Sequence, residues 1–88
     1  MNQNILFTDI QTWHSDQQAI HFSAQQGGAL INCWLPLSWL QQQSGQVLSM
    51  PEDVIATFIE YRFDIEDIAE AMIENEDFND NGDIVINE

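Results

Sequence analysis

Lysine is missing from this chain of 88 residues, arginine occurs once, as Arg62, and cysteine once, as Cys33. Without a reserve of cations the chain offers no surface that nucleic-acid phosphate or an anionic membrane would seek, so direct binding to either is not expected. A lone cysteine closes no internal disulfide, in keeping with a reducing compartment. Its place in the apolar run 29–35 predicts a buried structural thiol rather than a reactive one. Long apolar runs are missing too, and the start Met1-Asn2-Gln3-Asn4-Ile5-Leu6-Phe7 has no basic segment. Neither a signal peptide nor a membrane span is predicted, and a cytoplasmic protein is the expectation.

What is present is acid, unevenly placed. Residues 1–50 hold Asp9 and Asp16 alone, a charge of −2, whereas the other thirteen acids less Arg62 give −12, for a formal net charge of −14. Yet 44% of the residues are hydrophobic, too apolar a composition for a disordered acidic tail. One domain over residues 1–88 fits this length.

The first part, residues 1–35, reads as strands. Ile5 to Phe7 suits a short strand and Trp13-His14-Ser15-Asp16 a turn. Ala19-Ile20-His21-Phe22-Ser23 alternates, Gln25-Gln26-Gly27-Gly28 supplies turn chemistry, and the apolar run 29–35 returns, which together predict a hairpin within a small antiparallel meander. Residues 36–76 read as helical. Leu37 to Gln43 suits two turns with a stop at Ser44-Gly45, and Ser49-Met50-Pro51-Glu52 predicts a helix capped by Ser49. Around Arg62 that helix either continues or restarts with Asp64 as a new N-cap. The predicted fold class is α+β: a small antiparallel β-meander packed with two or three helices, then a turn and a C-terminal strand in residues 77–88. Two or three of Trp13, Trp34 and Trp39 are expected to fill the interface between sheet and helices, and an exposed one to mark a contact surface.

The last helix carries Ile65, Ile68, Ala69, Met72 and Ile73 on one face and Glu66, Glu70 and Glu74 on another at four-residue intervals. Like charges at that spacing repel, and Glu76 and Asp77 beyond them oppose the helix dipole. A basic surface or a cation would relieve the strain. Arg62 is the expected structural hub, paired with Glu66 one turn on or with Asp64 across the bend.

In their order and spacing these residues resemble the bacterial family named domain of unknown function 1488. The likeness covers almost the whole chain: Ile5-Leu6-Phe7, Asp9 and Trp13; then Ala19-Ile20-His21-Phe22-Ser23-Ala24 and Ile31-Asn32-Cys33. Its strongest element is Arg62-Phe63-Asp64-Ile65-Glu66 followed by Ala69-Glu70-Ala71-Met72-Ile73. The resemblance implies a compact α+β domain with no assigned activity. The chain departs from the family pattern at Leu35-Pro36-Leu37-Ser38-Trp39, where smaller and more polar residues are usual.

Two readings compete at the C-terminus. Residues 77–88 fit the calcium loop of an EF-hand, with Asp77, Asn79, Asn81, Asp83 and Glu88 as ligands and Gly82 at the sharp turn. Against this, Val85 offers no ligand oxygen, no exit helix follows, and Ile84-Val85-Ile86 prefers strand. Asn81-Gly82 is then simply a tight turn, which is the preferred reading, with no cofactor. A calcium site, if formed, would be weak.

Other chemistry is not assembled. His14 and His21 have no partner at metal-ligand spacing, Ser15 beside His14 lacks an oxyanion-hole motif, and the carboxylates sit on a solvated helix face without a pocket to shift them. An enzyme is therefore not expected. The chain reads as a binding or regulatory module whose face of Glu66, Asp67, Glu70 and Glu74 would meet a basic protein. Alternatives are the calcium module, an acidic mimic of nucleic acid that binds a basic protein, and a partner that is a second copy of the chain itself.

Overall fold

The computed structural model describes residues 4–87. Its elements are β1 (Ile5–His14), β2 (Ala19–Gln26), β3 (Ala29–Pro36), α1 (Leu37–Ser44), α2 (Pro51–Glu60), α3 (Arg62–Glu74) and β4 (Ile84–Val85). Alternation in β2 and β3 decides which face of the sheet is covered: Ile20, Phe22 and Ala24 of one strand and Ile31, Cys33 and Leu35 of the other are buried on a single side. The helices pack there. Phe58 of α2 meets Phe22 edge-on with ring centroids 5.2 Å apart, and Leu40 of α1 and Ile65 and Ile73 of α3 complete the same core. The fold is α+β.

Strand order is β1-β2-β3-β4. The first three strands are consecutive and antiparallel, and the β2–β3 turn is made by Gly27 and Gly28 with φ of 57° and 85°, the left-handed pair that a two-residue hairpin turn demands. The C-terminal strand is present but runs parallel to β3, with Cys33 opposite Ile84 and Trp34 opposite Val85. Three helices lie between β3 and β4, so the chain returns to the starting end of β3 before it re-enters the sheet, and a parallel pairing results. Ile84 and Ile86 are fully buried by that return.

Three local expectations are corrected. β1 runs on through His14 instead of stopping at Phe7, because a register shift between Phe7 and Gln11 absorbs the residues that break its alternation; the turn begins only at Ser15. Ser49 does not cap α2. Pro51 takes the first helical position, so Met50 occupies the cap and no side chain bonds there. Asp64 does not cap α3 either: the backbone breaks at Tyr61, with φ −100° and ψ 14°, and Asp64 falls inside the first turn, where its charge complements the dipole. Of the tryptophans, two fill the interface as expected: Trp39 is buried and Trp13 packs against the core, while Trp34 lies on the opposite face of the sheet. No helix among the described residues is long and apolar enough to cross a membrane.

Candidate functional site

The carboxylates of α3 are handled differently along its length. At the start, Arg62 Nε donates to Glu66 Oε2 at 2.8 Å, and a terminal guanidinium nitrogen donates to Asp9 Oδ1. These hydrogen bonds, that of Glu66 foremost, raise the guanidinium pKa above its ordinary value and fix the charge. The Arg62 and Glu66 side chains are 27% and 20% exposed, whereas Asp9 is 84% exposed, so the Glu66 contact is the better shielded of the two. Asp64 is not among the partners of Arg62. Asp9 is, from the irregular stretch of β1 between Phe7 and Gln11, and across 53 positions no local spacing in the sequence announces the pair.

Of the four acids expected to form a docking face, Glu66 is therefore engaged internally and half-buried. Glu70 is half-buried as well, and Asp67 and Glu74 are exposed. Asp67 is joined by a residue the docking-face reading left out: Asp64, three positions back and thus on the same helix face, lines with it a recess of about 610 Å³. Trp39, Gln43, Ile68 and Asn87 form the rest of its wall. Two carboxylates beside an indole make a cavity suited to the head of a lysine or arginine side chain. The i, i+3 spacing of Asp64 and Asp67 was the signal available for this; the part played by Trp39 needed the packing of α1 on α3.

The far end of α3 is acidic against its own interest. Glu76 N–H bonds Ile73 O at 3.0 Å and Asp77 N–H bonds Met72 O at 2.9 Å, the paired closure of a Schellman cap, which sets Glu76 at φ 59°. Glycine is the residue suited to that left-handed position, and a negative charge is disfavoured at a helix C-terminus. No basic residue stands in the last turn to offset it.

Beyond the cap, Asn79 organises the C-terminal loop. Its Oδ1 accepts from the N–H groups of Asn81 and Asp83, each at 2.9 Å, and its own N–H donates to Asp83 O at 2.8 Å. Asp83 Oδ2 accepts from the Trp34 indole Nε1 at 3.2 Å. Two of the oxygens proposed as calcium ligands are thus turned to protein donors, the loop leads into β4, and Glu88 lies outside the described residues. Among the described residues no three His, Cys, Asp or Glu side chains are grouped to hold a metal ion.

Trp34 also anchors a ring cluster on the uncovered sheet face. His14 and His21 approach its indole with centroids 5.0 and 4.9 Å away, and His21 Nε2 donates to Asn32 Oδ1 at 2.9 Å. Cys33, one residue on, faces the core: burial pushes its thiol up to about 12, so it stays protonated and inert.

Comparison with known proteins gives a consistent picture. The family described as Protein of unknown function (DUF1488) matches residues 5–86. The chain is 30% identical to Uncharacterized protein YrdB of Escherichia coli K12, over 93% of this chain and 94% of that protein, and 28% identical to the YrdB of Shigella flexneri over the same shares. The crystal structure of a protein of unknown function from Shewanella loihica PV-4 superposes with a TM-score of 0.94 at 40% identity, covering 98% of this chain and 94% of that one.

Proposed function

The chain belongs to the DUF1488 family, and from that starting point we propose that it is a non-enzymatic binding module whose α3 face receives a basic protein. The observation that carries this reading is Glu76. A carboxylate is kept where a left-handed backbone favours glycine and where the helix dipole disfavours its charge. A basic partner would offset both local costs, and the only lysine or arginine of the chain is already held by Glu66 and Asp9. Asp64 and Asp67 would seat a Lys or Arg head against Trp39, with Glu74 and Glu76 extending the negative field along the helix. Glu66 serves this face indirectly, by holding Arg62 away from it.

The reading is tested by immobilising the wild type and an Asp67→Asn, Glu70→Gln, Glu74→Gln variant and capturing proteins from lysate at 50 mM and 300 mM salt. Basic proteins held by the wild type at low salt, released at high salt and missed by the variant support it. Identical captured sets from both proteins would remove it.

A further inference from the structure

Among the described residues, no strand places an acid or Arg on the face of the sheet turned away from the helices. Four rows cross it: Leu6, Gln25 and Leu30; Ser23 and Asn32; Thr12, His21, Trp34 and Val85; and His14, Ala19 and Pro36. No acid or Arg occurs among them, nor anywhere between Asp16 and Glu52. One corner is closed by the C-terminal loop: Asp83 accepts from Trp34, and with Asn79 and Asn81 it lines a recess beside Ala19 and Pro36. Leu6 and Leu30 are 67% and 65% exposed, and no helix covers them.

We propose that this open face is where a second copy of the chain seats, sheet against sheet, about a two-fold axis. Charge selects the occupant. A body of net charge −14 repels its own kind everywhere except where its surface is neutral, and a face-to-face pair turns both neutral sheets inward and both acidic helical layers outward. A basic partner, by contrast, is drawn to the helices on the far side. The chemistry is also self-complementary: Thr12, Ser23, Gln25 and Asn32 both donate and accept, and Trp34 with its flanking His14 and His21 supplies a central aromatic contact.

Size is sufficient. Strands of 10, 8, 8 and 2 residues, at about 3.3 Å per residue and about 4.8 Å between strands, give a face of roughly 440 Å² in projection. Two copies would bury about 900 Å² in projection, and the relief of the side chains adds enough to reach the roughly 1,000 Å² of a small specific interface. The competing route, pairing through the outer edge of β1, is obstructed where the strand bulges and holds Asp9 to Arg62.

Sedimentation equilibrium over a concentration series tests the proposal. The wild type is expected to reach twice the chain mass of 10.1 kDa, with association tightening as NaCl is raised because the repulsion between acidic bodies is screened. Leu30→Glu and Thr12→Glu each place a carboxylate on the face at an exposed position. Each should weaken the dimer at least tenfold with an unchanged circular dichroism spectrum. The Asp67→Asn, Glu70→Gln, Glu74→Gln variant should dimerise as well as the wild type, which separates this face from the helical one. A wild type of single-chain mass at every concentration and salt, or dimers that persist in both Glu variants, would overturn the proposal.

Discussion

Asp9 and Arg62 stand 53 positions apart and meet where the pairing of β1 slips between Phe7 and Gln11. Their contact ties the edge strand of the sheet to the first turn of α3, while Glu66 holds the same guanidinium from within the helix. The two partners are not equivalent. Glu66→Gln, which weakens the shielded contact, should lower stability by about 1 kcal/mol, and Arg62→Met by about 1–3 kcal/mol since it leaves Glu66 half-buried and unpaired. Asp9→Asn should stay within about 0.5 kcal/mol, as exposed pairs do. Urea midpoints of the three variants give the order directly, and an Asp9→Asn effect larger than that of Glu66→Gln would reverse the assignment.

Glu76→Gly should stabilise the protein. It relieves the left-handed backbone and removes a charge from the wrong end of α3, together worth about 1 kcal/mol or slightly more. The thermal midpoint should rise by several degrees, while capture of basic proteins weakens. A fall in the midpoint would show that the Glu76 side chain makes a stabilising contact in the fold.

The C-terminal loop should respond to salt without distinguishing ions. Melts in EDTA, in millimolar Ca²⁺, in millimolar Mg²⁺ and in NaCl of matched ionic strength should agree to within a few degrees, and Asn79→Ala should cost about 1–2 kcal/mol in all of them by freeing the N–H groups of Asn81 and Asp83. A midpoint raised by about 10 °C in Ca²⁺ alone would establish a cation site there instead.

Cys33 gives an alkaline signature. Its thiol is held up to about 12 by burial, against a model-compound value of 9.0. The folded state therefore keeps a proton that the unfolded chain gives up. Stability from this group is intact below pH 9 and lost as pH climbs toward 12, at about 1 kcal/mol per pH unit. Cys33→Ala should be less stable at neutral pH, because it leaves a small void, but should show a flatter decline between pH 9 and 11. A thiol reagent should modify the wild type only as fast as it unfolds.

Much of the layout was legible because it rests on local rules: the alternation of β2, the Gly27-Gly28 turn, and the helical spacing of Ile65, Ala69 and Ile73. What escaped was set by distance. Asp9 reaches Arg62 across 53 positions of chain, and the parallel sense of β4 depends on three intervening helices. The caps failed for a nearer reason. Pro51 shifts the start of α2 by one residue, and a Schellman closure at Glu76 shows no glycine to mark it. At the candidate site, the acid-rich stretch was visible as composition, but its division into acids that hold Arg62 and acids that line a recess required the helix packing.

The parallel seating of Ile84 and Val85 beside β3 also orders events in time. That pairing spans a separation of about fifty residues, and closing so long a loop is entropically unfavourable until the helices between have condensed. The C-terminal segment is accordingly the last to dock and the first to peel away. Hydrogen exchange should find the amide of Ile86, bonded to Trp34 O at 2.9 Å, opening well below the free energy of global unfolding while the β2–β3 hairpin stays closed.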